Sequence, residues 1–206
     1  VAGVRGRYAS RHQARGLHRP GELVHALLHA RLLDEPALVD AAVRLACAVS
    51  GETIDTDTVL DVEGGCAGAL LALLAVHDLQ PDEQVLDLAR RCVARLVSTQ
   101  LRAGPFAGAW LAGDDPTARP GFAHGAAGIA AALSRWATRT GDSGVFETIE
   151  GAWAFERRVF AEHAGAYPTV RSDGGRVVMA AWCHGAPGVA LGRAMAPVAL
   201  EDERLL

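Results

Sequence analysis

Gly65-Cys66-Ala67-Gly68-Ala69-Leu70-Leu71-Ala72-Leu73-Leu74-Ala75-Val76-His77 carries no polar side chain until its last residue. A helix of that composition has no face to offer water and must be enclosed on every side. Its opening, Gly65-Cys-Ala-Gly68, recurs as Gly125-Ala-Ala-Gly128 and as Gly185-Ala-Pro-Gly188, each copy 60 residues after the last. The later copies also open apolar stretches, at 126–137 and from Pro187 to about 196.

Segments of a different kind lie between the first two of these helices and after the second. Residues 82–98 place Val85, Leu86, Ala89, Cys92, Val93, Leu96 and Val97 on one stripe, with Asp87, Arg90, Arg91 and Arg95 opposite. Residues 143–161 repeat the pattern through Val145/Phe146, Ile149, Ala152/Trp153, Glu156 and Val159/Phe160. Such helices bury one face only. Enclosed helices alternating with half-solvated ones at this period predict two concentric layers, an all-α fold of the α/α toroid type, present as a partial barrel. The period is too long for tetratricopeptide or ankyrin arrays, which repeat at about 34 and 33 residues.

Outside this frame, residues 1–20 are rich in Arg, His and Gly and read as a lead-in loop. Pro20-Gly21 starts a helix over about 22–33, and Pro36 starts another running to about 50. Residues 53–60 alternate polar with β-branched types and read as extended or loop. Asp173-Gly174-Gly175, between β-branched segments, predicts a hairpin within 168–179.

A net charge of −4 argues against nucleic acid or an anionic membrane as partner. No apolar run is long enough to span a bilayer. The four cysteines form no C-x-x-C pair, which favours a reducing, cytoplasmic setting over a disulfide framework.

The residues just ahead of the three glycine motifs differ in kind: Asp61, then His124, then Cys183-His184. If every inner helix starts at the same end of the ring, a carboxylate, an imidazole and a thiol converge there. Cys183 precedes a helix whose amides favour a thiolate, which serves as nucleophile or soft metal ligand. Cys47 and Cys92 sit on apolar stripes and read as small hydrophobes. His124 suits general acid–base work or a structural bond to the loop, and Asp61 either orients it or caps the following helix. Glu156, a charge on an apolar stripe, needs a partner, for which Arg171 or Arg193 would serve. His25 and His29 have the spacing of a helical metal pair but lack its glutamate.

Trp182-Cys-His-Gly-Ala-Pro-Gly188 resembles the lanthionine synthetase C-like (LanC-like) cyclases, and most closely the cyclase domain of the class II, LanM-type synthetases. Asp61-Val-Glu-Gly-Gly-Cys-Ala-Gly68, Gly121-Phe-Ala-His-Gly-Ala-Ala-Gly-Ile129 and Phe155-Glu-Arg-Arg-Val-Phe160 extend the likeness over about 58–193. The resemblance implies a toroid with a Zn2+ ion at one mouth, and addition of peptide cysteine thiols to dehydroalanine or dehydrobutyrine. Carried over by position, Cys183 resembles the first zinc-ligating cysteine, His124 the catalytic histidine and Asp61 its acid partner. His184 is a further active-site candidate. The family's other two zinc ligands lie in a later Cys-His-Gly segment, so one of three expected ligands falls in this chain. LanC-type enzymes carry an Arg four residues before this cysteine, where Met179 stands here, and that suits the class II form.

The sequence is therefore expected to be a fragment, with a lead-in over 1–20 and a partial cyclase domain over 21–206, cut before the last zinc ligands and inactive alone. Its expected partners are a dehydrated precursor peptide with its leader and a dehydratase domain upstream in the same polypeptide. Two other readings stay open. One is an α/α-toroid glycosidase using carboxylates among Asp55, Asp57, Asp61 and Glu63; the other is a non-catalytic peptide-binding domain.

Overall fold

In the computed structural model the described residues are 36–170 and 175–196. The helix expected over 22–33, His25, His29 and the turn at 171–174 lie outside them. The described chain is built of helices, with a two-stranded antiparallel hairpin as its sheet.

Helix α1 spans Pro36–Cys47 and the short α2 spans Gly51–Asp55. The second takes residues 53–55, expected to be extended or loop, because Ile54 turns inward to full burial, while 56–60 are loop. Helix α3, Cys66–Leu79, is buried along nearly its whole circumference, as its composition demands. Asp82 caps α4, Glu83–Thr99, by accepting from Val85 N at 3.0 Å. That helix buries Val85, Leu88, Ala89, Cys92, Val93 and Leu96, while Leu86 and Val97 at the stripe's edges are half-buried.

The pattern repeats with α5, Ala126–Thr140, closed by Gly141 in the left-handed region at φ 76°. A 3-10 turn at Ser143–Val145 leads into α6, Phe146–Glu162. Strands β1, Pro168–Val170, and β2, Arg176–Val178, pair Thr169 with Val177. Helix α7, Ala186–Met195, ends the described chain.

Helices α3, α5 and α7 pack side by side in sequence order; α4 covers α3 and α6 covers α5. That is an inner and an outer layer, the all-α arrangement of a toroid fragment. The core is the seam between the layers, filled by Leu70, Leu73, Leu74, Leu96, Leu133, Ile149 and Phe155.

The glycine motifs explain the period physically. A Cβ on Gly68, Gly128 or Gly188 would stand 2.0, 1.8 or 2.2 Å from the carbonyl oxygen of Val62, Phe122 or Trp182, always the residue six earlier. On Gly65, Gly125 or Gly185 it would meet backbone five or six residues back, at 2.3, 2.4 or 1.9 Å. Each motif thus folds its own preceding loop flat onto the first turn of its helix. Any side chain there would push the loop off.

Candidate active site

The loops ahead of α3, α5 and α7 meet at one end of the inner layer. Val62 N and Glu63 N both donate to Ala123 O, at 3.0 and 3.3 Å. A Cβ on Gly121 would lie 2.9 Å from Cys183 O and 3.0 Å from His184 Cα. The second loop is therefore pressed between the first and the third.

The repeat has a geometric echo across this seam. Phe122 and Trp182, one period apart, hold their rings 6.5 Å from one another. His124 and His184, also one period apart, stack at 5.1 Å and 27°. Each pair occupies equivalent positions in neighbouring loops, so the 60-residue spacing contained the signal for both contacts.

Asp61 is nearly buried, and its Oδ2 lies 2.8 Å from His124 Nδ1 while Oδ1 accepts from Gly64 N at 2.9 Å. Its backbone is aimed by Leu60, a non-glycine residue at φ 64°. The other ring nitrogen, His124 Nε2, stands 2.9 Å from Glu63 Oε2. The two carboxylates differ in setting: the Asp61 side chain is 8% exposed and that of Glu63 67%. The bond to Asp61 holds the His124 imidazole above its usual pKa range, with help from the charges of Asp61 and Glu63 and against burial and Arg119. His184 goes the other way, lowered by burial and then by the charges of His124 and Arg119. The two shifts run in opposite directions, so of this stacked pair His124 is the one whose protonated form is favoured.

Cys183 is a free, half-buried thiol on the third loop, and its neighbour His184 has a buried Nδ1 without a hydrogen-bond partner. Cys92 is fully buried on α4, as its stripe position predicts, whereas Cys47 is half-buried. Among the described residues no group of three or more His, Cys, Asp or Glu is placed to hold a metal ion.

Glu156, expected to need a partner, finds backbone as well as charge. Its Oε1 accepts from two backbone amides, Gly121 N at 3.1 Å and Ala127 N at 2.9 Å, and the Arg193 charge acts on it. Burial pushes its carboxyl up to about 8, against the lowering effect of those amides and the nearby Arg193 charge. Arg171, the other expected partner, lies outside the described residues. Two roles were missed in the sequence. Glu63 shares with Cys183 the position two before the first glycine, and Asp57 clamps the first loop by accepting from Val59, Leu60 and Cys66 N at 2.8–3.0 Å.

The family described as "Lanthionine synthetase C-like protein" matches residues 21–206. The chain belongs to the LanC-like family. No curated protein matches it. LanC-like membership accounts for the helical layers and ties the chain to lanthionine synthetase-type function. The carboxylates of the glycosidase alternative are otherwise engaged in this LanC-like chain. Asp55 pairs with Arg91, Asp57 holds backbone, and Asp61 and Glu63 share one imidazole. No helix among the described residues is long and apolar enough to cross a membrane.

Proposed function

We propose that this chain is part of the cyclase domain of a class II, LanM-type lanthipeptide synthetase, closing thioether rings on a dehydrated precursor peptide in the cytoplasm. The observation that carries the reading is the His124 imidazole, gripped at Nδ1 by a buried carboxylate and raised in pKa. Such a setting favours the protonated imidazole, the form that can hand a proton to carbon.

In the proposed reaction the cysteine thiol first loses its proton to solvent, its sulfur bonds to the β-carbon of a dehydroalanine or dehydrobutyrine, and the alkene π electrons move toward the α-carbon and its carbonyl. His124 gives up the proton at Nε2 to that α-carbon and regains one from solvent, so the net change is addition of S–H across the double bond. Asp61 fixes the tautomer through Nδ1 and compensates the charge beforehand. For this transfer the exposed Glu63 side chain swings off Nε2, which its position on the rim permits.

Cys183 has the donor chemistry for Zn2+: a free thiol at a helix entrance, half-exposed at the junction of the loops. It would supply one ligand, with the others drawn from outside the described residues. Zinc, when bound, stabilises the thiolate form of the substrate cysteine at neutral pH. A dehydratase domain preceding this one in the same polypeptide would supply the dehydro residues.

The test uses the complete synthetase and a dehydrated precursor, with ring closure followed by mass spectrometry after thiol alkylation. Cys183→Ala is expected to abolish cyclisation and lower bound zinc from about one per chain. A Cys183→Ala protein that still closes rings would remove Cys183 from the zinc site, and a wild-type protein that closes none would overturn the cyclase assignment. A wild-type protein that binds its peptide without zinc would instead support a non-catalytic binding domain.

A further inference from the structure

We infer that Glu156 is a positioning residue for His124, holding the imidazole's loop by two backbone amides, three residues to either side of it. The inference rests on the cyclase reading for its consequence, and on geometry for its substance. Glu156 comes from the outer layer, on α6, and reaches through the seam to the inner loop at Gly121 and to the first turn of α5 at Ala127. It is fully buried. A single oxygen, Oε1, receives both bonds, and Oε2 is buried without a hydrogen-bond partner.

The neighbouring amides have other acceptors: Ala126 N donates to Arg119 O and Gly128 N to Gly121 O. Gly121 N and Ala127 N take theirs from α6. An apolar side chain at 156 would leave two buried donors unpaired, and the loop would shift to find new acceptors. His124 sits midway along that loop, 2.8 Å from Asp61. Displacements of about 1 Å at a reacting group cost about a hundredfold in rate.

The first loop is held by Asp57, which belongs to that loop and bonds Cys66 N at 2.8 Å. The His124 loop takes its carboxylate from a separate helix. Its geometry is thereby set by how the outer layer packs.

The complete synthetase with dehydrated precursor tests this through Glu156→Leu and Glu156→Gln. Gln keeps one oxygen acceptor and is expected to retain kcat within about threefold. Leu is expected to lose about thirty- to a hundredfold in kcat with KM nearly unchanged, while circular dichroism and zinc content stay as in the wild type. If the Leu protein does not fold, Glu156→Asp, a methylene too short to reach both amides, carries the same expectation. The ring resonances of His124, read by NMR with labelled histidine, should move in Leu or Asp and stay in place in Gln. Full activity in Leu, equal loss in Gln, or an unmoved His124 signal in Leu would each overturn the proposal. If the cyclase reading itself is wrong, the wild type closes no rings, yet the His124 resonance still responds to Glu156→Leu.

Discussion

The chemistry turns on how one histidine is held. Asp61 is buried against Nδ1 and Glu63 is exposed against Nε2, so the ring has a fixed side and a movable side. His124→Asn in the complete synthetase should slow ring closure by about a hundredfold or more and leave dehydration untouched. The raised pKa sets the pH dependence. The donor form persists above the ordinary histidine range and is lost as pH rises through the folded-state pKa, so single-turnover cyclisation declines on the alkaline side. Asp61→Asn removes the largest raising influence and should move that decline to lower pH. An alkaline limb that stays in place would remove Asp61 from the role given to it.

At the scale of elements, the unit is a loop flattened onto its own helix by two glycines. Gly128→Ala would force a Cβ to 1.8 Å from Phe122 O. It should cost about 3 kcal/mol, a fall of roughly 6–12 °C in melting temperature. Gly113→Ala is the contrast. Its φ is 58° with no atom within 4 Å, so only backbone strain of about 1 kcal/mol applies. Thermal melts of the two variants should therefore differ severalfold in shift.

The two layers were legible from period and amphipathicity because burial acts on every residue of a helix. Leu88 and Phe155, buried at the stripe edges, were missed because a stripe drawn at ideal spacing ignores the width of the neighbouring helix. Residues 53–55, whose β-branched composition speaks for extended chain or loop, are helical because burying Ile54 rewards one helical turn. Asp61, His124 and Cys183 could be picked out by type and position, but not which of them touch. Glu63 on the imidazole and Glu156 on two amides were invisible, since both depend on side chains crossing between elements.

Across the whole molecule, titration and folding are linked. Glu156 has a folded-state pKa raised to about 8, so the folded chain holds a proton there that the unfolded chain has released, and stability falls as pH climbs from about 4.5 to 8. The groups facing it are Arg193 on α7 and Tyr167 after α6, and the Arg193 charge works toward ionisation. His124 acts in the same direction: its raised pKa contributes stability below about pH 6.5 that disappears above the folded value. Asp78 and Asp115 act oppositely. Against burial, bonds from Arg139 and Arg135 lower Asp78, and bonds from Thr117 and then Arg119 lower Asp115, so their contribution is lost only in acid. Melting temperature should thus peak on the mildly acidic side and decline toward pH 8.5. Glu156→Gln should flatten that decline, and an unchanged slope in the variant would show that Glu156 is ionised throughout.

The paired glycines have one more consequence. Because the glycines lay each loop flat on its own helix, and the carboxylates that steady the first two loops, Asp57 and Glu156, stand away from the tips, the side chains at the tips are free to vary. Glu63, Ala123 and Cys183 stand at one address in three copies of the same frame, as do Gly64, His124 and His184 at the next. The ring is thus a rack of interchangeable fittings, in which a carboxylate, an imidazole or a thiol can be swapped in at a fixed place without disturbing the shelf that holds it.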